Sequence, residues 1–134
     1  MADGDSGGGY VPQEDAVSTA TRTFTREEVE AFAALSGDRG AHHVEPDEDG
    51  RVLVHGLLRA VLPTQIGGDR DFLATTMTYA FHRPVRTGET ITCELTTDEV
   101  AERDERYEIA SSAVCRNEAG DVTTTAEFKG VVRK

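Results

Sequence analysis

The residues of this 134-residue chain best suited to chemistry lie close together. They are Ser36-Gly37-Asp38-Arg39-Gly40-Ala41-His42-His43 and, twelve residues after His43, the pair His55-Gly56. Asp38 and His43 place a carboxylate and an imidazole five residues apart in a segment that leaves a helix. Such a pair can move protons. His55-Gly56 opens an almost wholly apolar helix, and the N–H groups at a helix start can hold developing negative charge. Glycine at that point lets another group approach the backbone closely. Adding water to an activated acyl group, or removing it, needs these parts: proton transfer beside a site that stabilises an oxyanion.

Two helices and a loop must position these groups. Thr25-Arg26-Glu27-Glu28 is a capping box, with Phe24 and Val29 at the hydrophobic-staple positions. Val29, Phe32 and Ala33 continue with helical spacing, and Gly37 is placed to end the helix just before Asp38. Residues 38–51 form a loop rich in Asp, Glu, Gly and Pro. From 57 to 62 every residue except Arg59 is apolar, which predicts a helix over 56–66 buried on most sides and closed by Gly67-Gly68. Pro63 falls inside it, where proline removes a hydrogen bond and kinks the axis.

The rest of the chain has a period of two. Residues 17–24 are β-prone and form a first strand. After residue 70, Leu73, Met77, Tyr79 and Phe81 share one face with Thr76 and Thr78 on the other. Ile91, Cys93 and Leu95, then Tyr107, Ile109, Ala113 and Cys115, then Val122, Ala126 and Phe128 repeat the pattern. The run Asp98 to Arg106 reads as a solvated hairpin end. Four antiparallel strands with one apolar face need a cover, and only the 56–66 helix is apolar enough. The expected class is therefore α+β, with a curved antiparallel sheet wrapped around one long buried helix. Residues 17–134 make a single domain, and residues 1–16, acidic and glycine-rich, read as a disordered tail.

Composition narrows the partners. Asp plus Glu number 25 against 14 basic residues, a net charge of −11, which argues against nucleic acid as a ligand. Of the basic residues only Lys129 and Lys134 are lysine. Acidic, lysine-poor surfaces suit molar salt, where the Debye length is about 3 Å, so a halophilic host is expected. No apolar run reaches the roughly 18 residues of a transmembrane helix, and no membrane partner is expected. Residues 1–20 lack the basic and apolar regions of a secretory leader, so the expected location is cytoplasmic. Cys93 and Cys115 fall in strands and suggest buried free thiols. The spacing of His42, His43 and His55 supports no metal site.

With these elements in order, the chain resembles the MaoC-like, (R)-specific enoyl-CoA hydratases, which have the hot-dog fold. The resemblance runs from about Thr23 to the C-terminus. Its pieces are Phe32-Ala33-Ala34-Leu35-Ser36-Gly37-Asp38, His43, Val54-His55-Gly56-Leu57-Leu58 with Ala60, and Phe81 followed by Pro84-Val85 and Gly88-Glu89. It implies reversible syn hydration of a trans-2-enoyl thioester, most simply a coenzyme A ester, without cofactor or metal. Asp38 and His43 would hold the water, and the N–H of Gly56 would bind the thioester oxygen. Thr64 stands where the family carries a serine and takes a supporting role, as does His55, which orients the helix start. His42 has no assigned role. Arg39, Arg83 and Arg86 are the cations available for the coenzyme phosphates. A homodimer, or a higher oligomer of dimers, is implied as well.

Three departures from the family stand out. Gly40-Ala41 replaces Asn-Pro, the segment between His43 and His55 is short, and Pro63 precedes Thr64. Two alternatives accompany the hydratase reading: a hot-dog acyl-CoA thioesterase, against which the Asp-x4-His spacing argues, and a non-catalytic acyl-thioester-binding subunit, in which Gly40-Ala41 marks decay of the site.

Overall fold

Alternation of inward and outward side chains builds one antiparallel sheet from five strands: β1 (Val17–Thr23), β2 (Leu73–Phe81), β3 (Thr90–Glu102), β4 (Arg106–Arg116) and β5 (Val122–Arg133). Their order across the sheet is β1-β3-β4-β5-β2, so β1 and β2 form the edges. The helices are α1 (Arg26–Ser36), α2 (Ala41–Val44), α3 (Gly56–Arg59) and α4 (Val61–Gly68). The structure is a computed structural model that describes residues 10–134. The first part of the expected tail, residues 1–9, lies outside the described residues. Residues 13–16 run beside β3: the N–H of Asp15 donates to the Thr97 carbonyl at 2.8 Å, and Glu14 accepts from the Val100 N–H at 3.0 Å.

The core lies between the sheet and α3–α4. Leu58, Leu62 and Ile66 recur at intervals of four, so they share one helix face. They pack on Ile91, Cys93, Leu95, Ala113, Cys115, Ala126 and Phe128 from β3, β4 and β5. Truncating a fully buried leucine such as Leu62 costs about 2–5 kcal/mol, because the transfer energy and a cavity term add. Cys93 and Cys115 are direct partners in the β3–β4 register, and both are buried free thiols.

Three details differ from the sequence expectation. A short helix, α2, lies within residues 38–51, where the sequence predicts a loop. The central helix extends from Gly56 to Gly68 but breaks at Ala60, so that α4 restarts at Val61. Pro63 therefore occupies the first turn of α4, where a missing N–H forfeits no intrahelical bond. In β2 the register with β5 shifts between Ala74 and Thr76. This bulge puts Leu73 out of phase with Met77: Leu73 is exposed, and Ala74 joins Met77 on the inner side.

Candidate active site

The capping box at Thr25 forms as the spacing predicts. Thr25 Oγ1 accepts the Glu28 N–H at 3.1 Å, and Glu28 Oε1 accepts the Thr25 N–H at 2.9 Å. At the other end of α1, Gly37 adopts φ 81° and donates to the Ala33 carbonyl at 3.0 Å. A side chain resists that left-handed conformation. The turn delivers Asp38, whose N–H donates to Ser36 Oγ at 3.0 Å. Asp38 Oδ1 accepts the Gly40 N–H at 3.2 Å, which braces the loop by a bond between the Asp38 side chain and the backbone. A Cβ at position 40 would stand 3.0 Å from His42 Cε1, so glycine here and His42 fit each other.

Asp38 Oδ2 remains 3.6 Å from His43 Nε2, with the Asp38 side chain 56% exposed and that of His43 only 8%. This gap is too long for a direct hydrogen bond and short enough for one water to bond both atoms. The orientation of His43 is set by main chain. The Leu53 N–H donates to the His42 carbonyl at 2.9 Å, and His43 Nδ1 donates to the Leu53 carbonyl at 2.8 Å. A carbonyl only accepts, so in the neutral ring Nδ1 carries the proton and Nε2 keeps its lone pair towards Asp38. Residues 52–54 are in turn anchored to Val85 and Thr87.

His55 completes the cluster. Its Nε2 donates to the Asp38 carbonyl at 2.9 Å. Its ring stacks on that of His43 at 3.7 Å and meets Phe32 edge-on at 4.9 Å. Its Nδ1 is buried with no hydrogen-bond partner among the described residues. Asp38, His43 and His55 bring ligand-type atoms within 4.8 Å of one another. The two imidazoles stack with only 16° between their planes. An ion in the plane of one ring therefore stands well off the plane of the other, unlike a convergent two-His, one-carboxylate site.

Gly56 directly follows as the first residue of α3, where its N–H has no intrahelical acceptor. A Cβ there would lie 3.1 Å from Phe81 Cζ, so packing also favours glycine. The Phe81 ring has the guanidinium of Arg59 5.0 Å from its centroid. Arg59 is buried; its Nη2 donates to the Thr123 carbonyl at 2.7 Å and to Thr124 Oγ1 at 2.8 Å, while its Nε has no partner among the described residues. Desolvation lowers the Arg59 pKa from its ordinary value. Sequence reasoning registered Arg59 only as an interruption of an apolar run; a single cation in such a run was the available signal.

Thr64 does not join the Asp38–His43 cluster. It lies eight residues beyond Gly56, roughly 12 Å along the helix axis. Its Oγ1 donates to the Ala60 carbonyl at 2.8 Å and stands 3.4 Å from the Tyr79 hydroxyl, which donates to the same carbonyl at 3.2 Å. Burial pushes the Tyr79 phenol up. Thr64 and Pro63 line an apolar cavity of about 190 Å³ between α4 and the sheet. Of the three candidate phosphate-binding cations, Arg39 is exposed beside Asp38. Arg86 lies 3.6 Å from Asp47, and Arg83 lies 3.9 Å from Asp121.

No protein-family model and no curated protein sequence matches the chain. Solved structures do. An (R)-hydratase from A. caviae involved in PHA biosynthesis superposes with a TM-score of 0.78 at 23% identity, over 89% of this chain and 96% of that one. An R-hydratase from Pseudomonas aeruginosa gives 0.75 at 21% identity, over 91% and 82%. A MaoC-like dehydratase from Rhodospirillum rubrum gives 0.74 at 16% identity, over 92% and 94%. The chain thus has the α+β hot-dog fold shared by (R)-hydratases and MaoC-like dehydratases.

Proposed function

We propose that this protein reversibly hydrates trans-2-enoyl thioesters, with Asp38 and His43 as the acid–base pair. The observation that carries the reading is the 3.6 Å gap between Asp38 Oδ2 and His43 Nε2, with the His43 lone pair set by the Leu53 carbonyl and a free helix N-terminus following His55. One water bonded to both groups attacks Cβ of the enoyl chain and gives up a proton to the pair. The electrons of the double bond move onto the thioester oxygen, where the Gly56 N–H stabilises the enolate. A proton then reaches Cα from the same side, and an (R)-3-hydroxyacyl thioester leaves. Acid–base positioning of this kind contributes about 10²–10⁴-fold, and one oxyanion donor about 3–4 kcal/mol. Fold neighbours named as hydratases and dehydratases support the reaction class.

Crotonyl-CoA separates this reading from its rivals. Loss of enoyl absorbance with (R)-3-hydroxybutyryl-CoA formed supports the hydratase. Release of free coenzyme A points instead to a thioesterase, and silence from folded protein to a non-catalytic acyl-binding subunit.

The same reading includes a cytoplasmic dimer adapted to high salt. Among the described residues no helix is long and apolar enough to cross a membrane. Edge strand β2 leaves Met77 and Phe81 exposed, and Leu57 beside the site is 70% exposed. A second copy of the chain would cover these apolar residues and the open edge. Sedimentation at the mass of a single chain would count against the dimer, and full stability in dilute buffer against the halophilic host.

A further inference from the structure

The apolar cavity beyond Thr64 has a polar floor. On β3 the inward residues Ile91, Cys93 and Leu95 are followed by Thr97, and on β4 Ser111 stands between the inward residues Ile109 and Ala113. Thr97 and Ser111 are direct partners in the β3–β4 register. Their exposures are only 3% and 7%, and both line the cavity beside Leu95, Ile109 and Phe128. The neighbouring inward pairs, Cys93 with Cys115 and Leu95 with Ala113, carry no oxygen. Among the described residues neither the Thr97 nor the Ser111 hydroxyl has a hydrogen-bond partner, whereas the buried hydroxyls of Thr87, Thr123 and Thr124 all do.

Both hydroxyls belong to nearly buried residues and line the cavity without a partner among the described residues; a polar group left unsatisfied in such a place costs stability. Valine matches threonine in shape and suits a strand at least as well, so nothing in the local packing calls for oxygen at position 97. The cavity accommodates a ligand oxygen, or water in its place. The cation at its edge is already engaged: Arg70 donates to Ser18 and stacks on Tyr10. Neutral hydroxyls, as donors and acceptors, match a neutral oxygen better than a carboxylate.

We propose that this cavity receives the acyl chain and that Thr97 and Ser111 recognise a hydroxyl or carbonyl oxygen on its distal part. The preferred substrates are then medium-chain enoyl thioesters oxygenated far from the thioester, rather than plain alkyl ones. This proposal rests on the hydratase reading, with Gly56 at one end of α3–α4 and the cavity at the other.

The test compares kcat/KM for medium-chain trans-2-enoyl-CoAs of one length, with an alkyl, a hydroxyl-bearing or a carboxylate-bearing end. The wild type is expected to favour the hydroxylated chain about tenfold or more, about 1.4 kcal/mol. Thr97→Val is expected to bring that ratio towards one with no loss of thermal stability, since the hydroxyl has no hydrogen bond to lose among the described residues. Ser111→Ala serves should Thr97→Val fail to fold. Equal or better turnover of the alkyl chain, preference for the carboxylate, or an unchanged ratio in the folded variants would overturn the proposal. Crotonyl-CoA turnover by the wild type reports on the parent reading separately. If that turnover is absent, calorimetric titration with the same three saturated acyl-CoAs decides the cavity's preference on its own.

Discussion

The two ends of α3–α4 treat polar atoms in opposite ways. At the N-terminal end, main-chain carbonyls hold the rings: Leu53 takes the proton-bearing nitrogen of His43, and Asp38 takes that of His55. In its neutral form each ring has one lone pair directed by such a carbonyl, and the residues flanking Leu53 are themselves hydrogen-bonded to Val85 and Thr87. At the C-terminal end, Thr97 and Ser111 face a cavity with no partner among the described residues. The first end is built to act at one point, which suits chemistry common to every substrate. The second leaves its polar atoms to be satisfied by whatever enters, which suits discrimination among substrates.

The strongest way to break this contrast is Asp38→Asn. The amide keeps an oxygen for the Gly40 N–H and is itself largely exposed, so the fold should change by no more than about 0.5 kcal/mol. Hydration of crotonyl-CoA should fall by about 10² or more. A variant with near wild-type turnover and an unchanged unfolding curve would remove the N-terminal end from the mechanism altogether.

Arg59→Ala probes the boundary between the two ends. The guanidinium makes two buried hydrogen bonds to Thr123 and Thr124 and lies over Phe81. Removing it takes the donor from the Thr124 hydroxyl, while the Thr123 carbonyl keeps the His82 N–H at 2.9 Å, and it opens space under the helix, for an expected loss of about 2–4 kcal/mol in chemical denaturation. Arg59→Leu fills most of the volume but restores no donor, so it should recover only part of that loss. Equal stability of the leucine variant and the wild type would mean that the cation contributes packing alone.

A smaller effect belongs to Tyr79→Phe. Its hydroxyl shares the Ala60 carbonyl with Thr64 Oγ1, so the carbonyl keeps one donor after the change. A stability loss of about 0.5–1.5 kcal/mol is expected. Crotonyl-CoA turnover should change less than it does in Asp38→Asn. A loss of turnover as large as in Asp38→Asn would move Thr64 and Tyr79 from the cavity end to the catalytic one.

The N-terminal end was legible in the sequence because its signals are local. A capping box, a glycine at the helix end and an apolar run bounded by glycines each specify a few neighbouring residues, and together they bring Asp38 to the start of the loop. The alternation of Ile91, Cys93 and Leu95 likewise gave the sheet and its inner face. What stayed hidden depends on partners distant in sequence. The bulge in β2 arises from its pairing with β5, and it reverses the side taken by Leu73. The break at Ala60 turns Pro63 from an interior residue into a first-turn one. Thr97 and Ser111 each look like an ordinary polar residue in a strand, and only the β3–β4 register makes them a pair on the cavity floor. Arg59 stood out by type, but Thr123 and Thr124, which hold it, lie more than sixty residues away.

The smallest expected effect tests whether the scaffold of the N-terminal end is electrostatic in part. Glu28 caps α1, the helix whose far end presents Asp38. The Thr25 N–H, and then Arg22, hold its carboxyl below the usual carboxylate value. A carboxyl depressed in the folded state favours folding above its unfolded pKa, and that contribution disappears as pH falls through the folded value. Glu28→Gln should therefore cost about 0.5–1 kcal/mol at neutral pH, since the amide keeps one bond to the cap and solvent screens the half-exposed Arg22 pair. Below the folded carboxyl's pKa the two proteins should unfold at the same denaturant concentration. The effect on crotonyl-CoA turnover should be slight, because Gly37 and the Asp38–His55 bond fix the far end of α1 independently. A gap between the two unfolding curves that persists in acid would assign the cap's contribution to shape and hydrogen bonding rather than to charge.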